Sequence, residues 1–292
     1  MTSPIGIAYF TGTGNTQLVA ERLETALQAR GAPVDLVAIE DVLQSHGRWQ
    51  TEPYKRIVVG WPVHALSAPR IVREFIHRLP DGRGKLAATF RTAGDPYFAG
   101  GPPEPVRGFL ASRGYRVDRE CLFVMPANVL MRYPPAVERQ LYLKAVGRSE
   151  ALAEKLLDGE TGLTDSPWLA RAIAAASSAG LRVGSRLQGR LWRTTSDCTL
   201  CNWCVSACPV GNISRDLDRV RFGWDCMMCM RCVYGCPESA IRPSPVGRLF
   251  RLRDGYDTER MADASLDGEQ GLSKASTGLY RRLYQYLVSP DP

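Results

Sequence analysis

The sequence predicts an α/β protein: a three-layer sandwich around a five-stranded parallel sheet, followed by a small α+β domain built on cysteines. Three observations carry this reading. Across residues 1–160, short apolar runs alternate with amphipathic stretches in the manner of consecutive β–α–β units. A turn rich in glycine and threonine follows the first apolar run. Eight of the nine cysteines crowd between positions 198 and 236.

In chain order, residues 5–10 read as a buried strand. Residues 16–30 read as a helix with Leu18, Val19, Leu23 and Leu27 on one side. Runs at 34–38 and 57–59 are strand-like, 69–79 is helical, 86–89 is a strand and 106–113 a helix. Residues 121–125 supply a fifth strand, and 137–157 close the unit as a long helix. Helices interleaved with five such strands cover both faces of one sheet. Residues 161–195 are rich in Ala, Ser, Leu and Arg and predict a helical connector, carrying Arg171, Arg182, Arg186, Arg190 and Arg193. The cysteine domain spans 196–245 and ends near Pro243 and Pro245. Residues 246–292 form a mostly polar C-terminal extension, expected to wrap on the surface or to be partly mobile, with one amphipathic stretch at 279–287.

A chain of 292 residues suggests about two domains, and 45% apolar residues suffice for a proper core. The formal charge of +7 suits an acidic partner or surface, or ordinary solubility. It lacks the dense basic stripe with interleaved aromatics of a nucleic-acid binder. The first residues, Met1-Thr2-Ser3-Pro4-Ile5, show no basic segment ahead of an apolar core, so no secretory signal is expected. No run approaches the ~20 apolar residues of a spanning helix. Clustered thiols at metal-site spacing point to a reducing, cytoplasmic setting.

The cysteines form two runs, Cys198-x-x-Cys201-x-x-Cys204-x-x-x-Cys208-Pro209 and Cys226-x-x-Cys229-x-x-Cys232-x-x-x-Cys236-Pro237. They repeat at a constant offset of 28 residues, which also aligns Asp197 with Asp225, Val205 with Val233 and Ile213 with Ile241. Three cysteines with two residues between neighbours wrap three corners of an iron–sulfur cube. The fourth, followed by proline, ligates the other cube. Cluster one is thereby expected on Cys198, Cys201, Cys204 and Cys236, and cluster two on Cys226, Cys229, Cys232 and Cys208. A pair of four-cysteine zinc sites is the weaker alternative, because zinc modules seldom use this tight triple with a trailing Cys-Pro. Arg231 could tune cluster two, while Met227, Met228 and Met230 suit packing. Residues 196–245 resemble the bacterial dicluster ferredoxin domain, and the resemblance implies low-potential one-electron transfer through two [4Fe–4S] clusters.

After the first strand comes Thr11-Gly12-Thr13-Gly14-Asn15-Thr16, leading into a helix. Two glycines permit a tight turn that aims amides at one point, and the hydroxyls and the helix N-terminus add donors. This is a cradle for one phosphate monoester held by neutral groups. It is neither a Walker loop nor a dinucleotide loop, since no Gly-Lys-Ser/Thr follows and Gln17 stands at the third glycine. A capped turn that binds nothing is the alternative. The loop resembles that of flavodoxins, so residues 4–157 resemble a flavodoxin-like domain, which implies FMN. In such a sheet the ligand sits beyond the carboxyl ends of the strands, at the switch point. By that resemblance, Pro62, Val63, His64 and Ala65 with Thr92, Ala93, Gly94 and Asp95 line the isoalloxazine ring. Trp61 reads as pointing into the core, leaving Tyr97 or Phe98 as ring neighbours. Met125, Pro126, Ala127 and Asn128 border the pocket or make a strand-end turn. His64 reads equally as a flavin contact or a structural residue, and Cys121, at the start of the fifth strand, as a core thiol.

The order of the parts resembles flavodoxin–ferredoxin fusion proteins. That implies electron relay between FMN and two [4Fe–4S] clusters, to or from a partner redox enzyme such as a radical-SAM or cobalamin enzyme. The alternatives are a flavin-dependent reductase of a small molecule fed by its own clusters, and a redox sensor or scaffold.

Overall fold

The computed structural model describes residues 4–45, 47–96 and 100–245, and beyond them 247–249, 251–252, 255–263, 265, 272 and 278–290. The first region runs β1 (Ile5–Tyr9), α1 (Asn15–Gln28), β2 (Val34–Ala38), α2 (Ile39–Gln44) and β3 (Arg56–Pro62). It continues through α3 (Arg70–Arg78), β4 (Leu86–Ala93), α4 (Glu104–Ser112), β5 (Arg116–Val124) and α5 (Pro135–Asp158). The strands form one parallel sheet in the order β2-β1-β3-β4-β5, the flavodoxin-like order, with its switch point between β1 and β3. Helices α1 and α5 pack Val19, Leu23, Leu27, Leu152 and Leu156 against one face. Helices α2, α3 and α4 pack Ile39, Val72, Phe75, Ile76 and Leu110 against the other. The central strands β1, β3 and β4 are thus buried on both sides, which is why they read as apolar runs without alternation.

β5 departs from the expected strand at 121–125, beginning at Arg116 and placing Cys121 in its middle rather than at its start. Its first half is charged, and tertiary partners make that half a strand. The pairing steps from Val117 opposite Ala87 to Arg119 opposite Ala88, leaving Asp118 bulged. The bulge aims Asp118 at Arg56 of β3, and the two form a buried bidentate ion pair, with Nη2–Oδ2 at 2.9 Å.

Helix α6 (Trp168–Arg190) leads into the cysteine region. That region holds β6 (Arg193–Thr194), α7 (Trp203–Ser206), β7 (Ile213–Arg215), β8 (Val220–Phe222), α8 (Arg231–Tyr234) and β9 (Ile241–Arg242). β6 pairs with β9 and β7 with β8, both antiparallel. The C-terminal extension corrects the expectation of a surface wrapping. Met261, fully buried, joins the core under α1 and α5. In α9 (Gly278–Val288), Leu283 and Tyr286 are buried against Val124, Tyr133, Val137 and Leu141. Apolar anchors spaced widely in a polar sequence leave no periodic signal, so this docking was not readable locally.

Candidate functional site

The 28-residue repeat of the sequence is written into the backbone. Left-handed residues recur as Leu200 and Met228, Asn202 and Met230, and Gly211 and Ser239. Amides donate to sulfur at matching places, Asn212 N to Cys208 Sγ at 3.2 Å and Ala240 N to Cys236 Sγ at 3.3 Å. Each half also packs on the other: Trp203 fills the space beside Gly235, and Arg231 Nη1 donates to the Ala207 carbonyl at 3.2 Å.

Two cavities result. One is lined by Cys198, Cys201, Cys204 and Cys236. The other is lined by Cys208, Cys226, Cys229 and Cys232. Each takes three cysteines from one run and the fourth from the other. Burial raises the Cys204 thiol, and the sulfurs of Cys198, Cys236 and Cys201 raise it further. Burial pushes the Cys226 thiol up to about 12, with Cys229 and Cys208 adding to the effect. Cys229 and Cys232 are raised by the same causes. Thiols so disfavoured as anions become thiolates only against a strongly cationic core, and an iron–sulfur cube supplies one. The residues fit two clusters. Met227 and Met230 are buried, in line with a packing role.

The threonine loop lies at the carboxyl end of β1. Its turn is held by Gly14 N donating to Thr11 Oγ1 at 3.0 Å, with Gly14 at φ 104°. Among the described residues, nothing accepts from the amides of Gly12, Thr13, Asn15 and Thr16. Gly12 and Thr16 are buried, and buried amides are seldom left without a partner. A clustered set of such donors at a helix N-terminus fits a phosphate. Asn128 Nδ2 donates to Thr13 Oγ1 at 2.7 Å, so the Thr13 hydroxyl keeps its own proton for a ligand. Thr16 is fully buried and shares a hydrogen bond of 2.8 Å with Thr92 Oγ1, joining the loop to the end of β4.

The expected ring residues gather at the same edge. Pro62 ends β3, and Val63 N donates to the Thr92 carbonyl at 2.9 Å. His64 and Ser67 exchange backbone hydrogen bonds, while Ala65 and Leu66 take positive φ. Ala93 ends β4, the Gly94 carbonyl accepts from Tyr133, and Asp95 is buried with Arg282 at 3.8 Å. Trp61 is fully buried in the core, so it cannot stack on a ligand. Tyr97 and Phe98 lie outside the described residues. Cys121 is a buried core thiol within 3.7 Å of Arg148 Nη2.

His64 meets Phe10 edge-on at 6.4 Å, and burial holds its imidazole down at about 4. The unfolded chain takes up that proton near pH 6.5, so the native state loses stability as pH falls from about 6.5 toward 4. His64→Gln is expected to remove on the order of 2 kcal/mol of this acid sensitivity. Urea unfolding of the two proteins across that pH range measures it.

The junction between the two regions was not foreseen. A Cβ on Gly12 would lie 2.5 Å from the Cys229 carbonyl, so glycine here admits the cluster-two loop as well as a phosphate. Arg231, two residues on, donates to the Thr11 carbonyl at 2.5 Å, pairs with Glu40 of α2 and lies 5.8 Å over the Phe10 ring. The threonine loop carries no cation of its own, and this guanidinium reaches its backbone from another domain. In the repeat Arg231 stands where the first half has Trp203. Tyr234 OH donates to the Asn128 carbonyl at 2.7 Å, and Tyr256 OH lies 2.6 Å from Asn15 Oδ1. Nothing in their local sequence marks these tyrosines.

Comparison with known families matches residues 6–123 to a flavodoxin domain and residues 190–237 to a 4Fe-4S dicluster domain. No curated protein matches the chain. Similar solved structures include a flavodoxin from the domain Archaea (16% identity, TM-score 0.36, 52% of this chain and 97% of that one). Two-electron reduced Megasphaera elsdenii flavodoxin is 26% identical (TM-score 0.35, 51% of this chain and 98% of that one). General stress protein 14 of Treponema denticola, in complex with FMN, is 12% identical (TM-score 0.39, 52% and 99%). The flavodoxin domain implies FMN and the dicluster domain two [4Fe–4S] clusters, the groups that the loop amides and the two cysteine cavities fit. The chain thus carries a flavodoxin domain and a 4Fe-4S dicluster domain on one polypeptide, a combination that indicates an electron-transfer redox protein.

Proposed function

We propose that the chain relays electrons between FMN and a partner redox enzyme by way of both clusters, with cluster two toward the flavin domain and cluster one toward the partner. The observation that carries this order is the close approach of the Cys229 carbonyl to Gly12. It sets one ligand of cluster two against the proposed phosphate loop, whereas Cys201, a ligand of cluster one, is exposed. FMN exchanges one or two electrons and each cluster one, and the protein supplies their binding and orientation. Thr11, Gly12, Thr13, Gly14, Asn15 and Thr16 hold the phosphate through amides and hydroxyls. Pro62 to Ala65 and Thr92 to Asp95 shape the ring site. Arg231, Tyr234 and Tyr256 tie the junction together through hydrogen bonds to Thr11, Asn128 and Asn15. Eight thiolates of this kind suit a reducing compartment such as the cytoplasm.

Anaerobically purified protein should carry about eight irons and one FMN per chain. Thr13→Ala, which deletes the hydroxyl held in place by Asn128, should weaken FMN binding about tenfold through loss of a charge-assisted hydrogen bond. Equilibrium titration of the apoprotein with FMN reads this. A protein that takes up both clusters but no flavin, or a Thr13→Ala variant with unchanged affinity, refutes the phosphate assignment.

A further inference from the structure

The connector helix α6 presents an uncovered apolar face. Of its residues, Ala174, Ser185 and Gly189 are buried, with Gly189 packed directly on Cys226 of cluster two. The opposite side carries Leu169 (54% exposed), Ile173 (41%), Val183 (73%) and Leu187 (51%), with Leu191 (45%) just beyond and Trp168 (71%) at the first residue of the helix. At 100° per residue, Leu169, Ile173, Val183 and Leu187 fall within one sector less than a quarter-turn wide. Large apolar side chains gathered in this way mark a surface that meets something other than water.

Its charges narrow the choice. Between Asp165 and Asp197 there is no acidic residue, while Arg171, Arg182, Arg186, Arg190 and Arg193 all lie in that interval. None of these arginines has a carboxylate partner among the described residues. Arg171, Arg182 and Arg186 lie along one flank of the helix, where they line a groove shared with Arg70 and Arg73 of α3. A second copy docking by two-fold symmetry would set this face against itself, arginine against arginine with nothing to neutralise them. A bilayer with anionic headgroups meets both needs, taking the apolar side chains into its interface and the guanidiniums among its phosphates. The helix is too polar to cross a membrane, so it lies along the surface. Exposed Trp168 at one end suits the headgroup level.

We infer that α6 docks the protein on an anionic lipid surface, apolar face inward, with cluster two held directly behind it. The test uses the full cluster-bearing chain, sedimented with vesicles of phosphatidylglycerol mixed with phosphatidylcholine and with vesicles of phosphatidylcholine alone. Binding is expected to the first, to weaken with salt, and to be at least about tenfold weaker to the second. Arg182→Gln with Arg186→Gln should weaken it by about tenfold or more. Leu169→Glu with Leu187→Glu should abolish it while the cluster absorbance is kept. These side chains are exposed, so folding does not depend on them. Failure to sediment with anionic vesicles, or equal and salt-insensitive binding to both kinds, overturns the inference. So does a dimer in light scattering that Leu187→Glu dissociates, since the face is then covered by a second copy.

Discussion

Replacing Cys198 and Cys236 together by alanine should cost the protein one cluster, whereas replacing Cys226 and Cys236 together should cost it both. The reason is the crossed arrangement of the cavities, in which Cys236 shares a space with Cys198, Cys201 and Cys204, and Cys208 with Cys226, Cys229 and Cys232. Two ligands lost from one cube remove no more than one cube. Iron should fall from about eight per chain to about four in the first variant and to nearly none in the second. Uncrossed ligation would reverse the two outcomes, so iron and sulfide analysis of this pair decides the assignment without knowing which signal belongs to which cluster. Both variants should also lose stability, because each cube ties together halves whose shared core is small.

Arg231→Gln is expected to loosen the junction between the domains. The guanidinium side chain is 20% exposed and Glu40, its partner, 8%, so deletion of the charge strands a carboxylate in a poorly solvated site. Breaking a buried pair in this way costs about 3–5 kcal/mol. The Thr11 and Ala207 carbonyls lose a donor at the same time. Flavin-to-cluster electron transfer, followed by rapid mixing under anaerobic conditions, should slow, and proteases should cut the connector more readily. Glu40→Gln added to Arg231→Gln should restore part of the stability, because two neutral amides leave no stranded charge. Costs that simply add across the double-mutant cycle would mean that the two side chains are not coupled.

The sheet, the threonine loop and the cysteine cavities were legible because each is a local pattern. Apolar runs mark strands buried on both faces, glycines mark a turn that aims amides, and the spacing of cysteines marks a cube. The legible parts stop where neighbours are remote. The expected strand at 57–59 proved to run from Arg56 to Pro62, since Arg56 is accommodated only by Asp118, which a bulge two strands away turns toward it. The start of β5 was missed for the same reason. Asp118, Arg119 and Glu120 look solvent-bound until Arg56 pairs with Asp118, Glu160 with Arg119, and Arg107 and the Thr164 amide with Glu120. Short α2, which supplies Glu40 to the junction, was missed too.

By itself, then, the sequence determined the two cofactor-binding chemistries, because a thiolate run and an amide-rich turn are made of residues close together in the chain. Only the tertiary structure decided how the two meet: which cluster loop rests on Gly12, where Arg231 spends its charge, and that Tyr256 and Leu283 of the polar tail fold back on the flavin domain. Those contacts join positions up to 241 residues apart. Their energy depends on burial and geometry that no local pattern encodes.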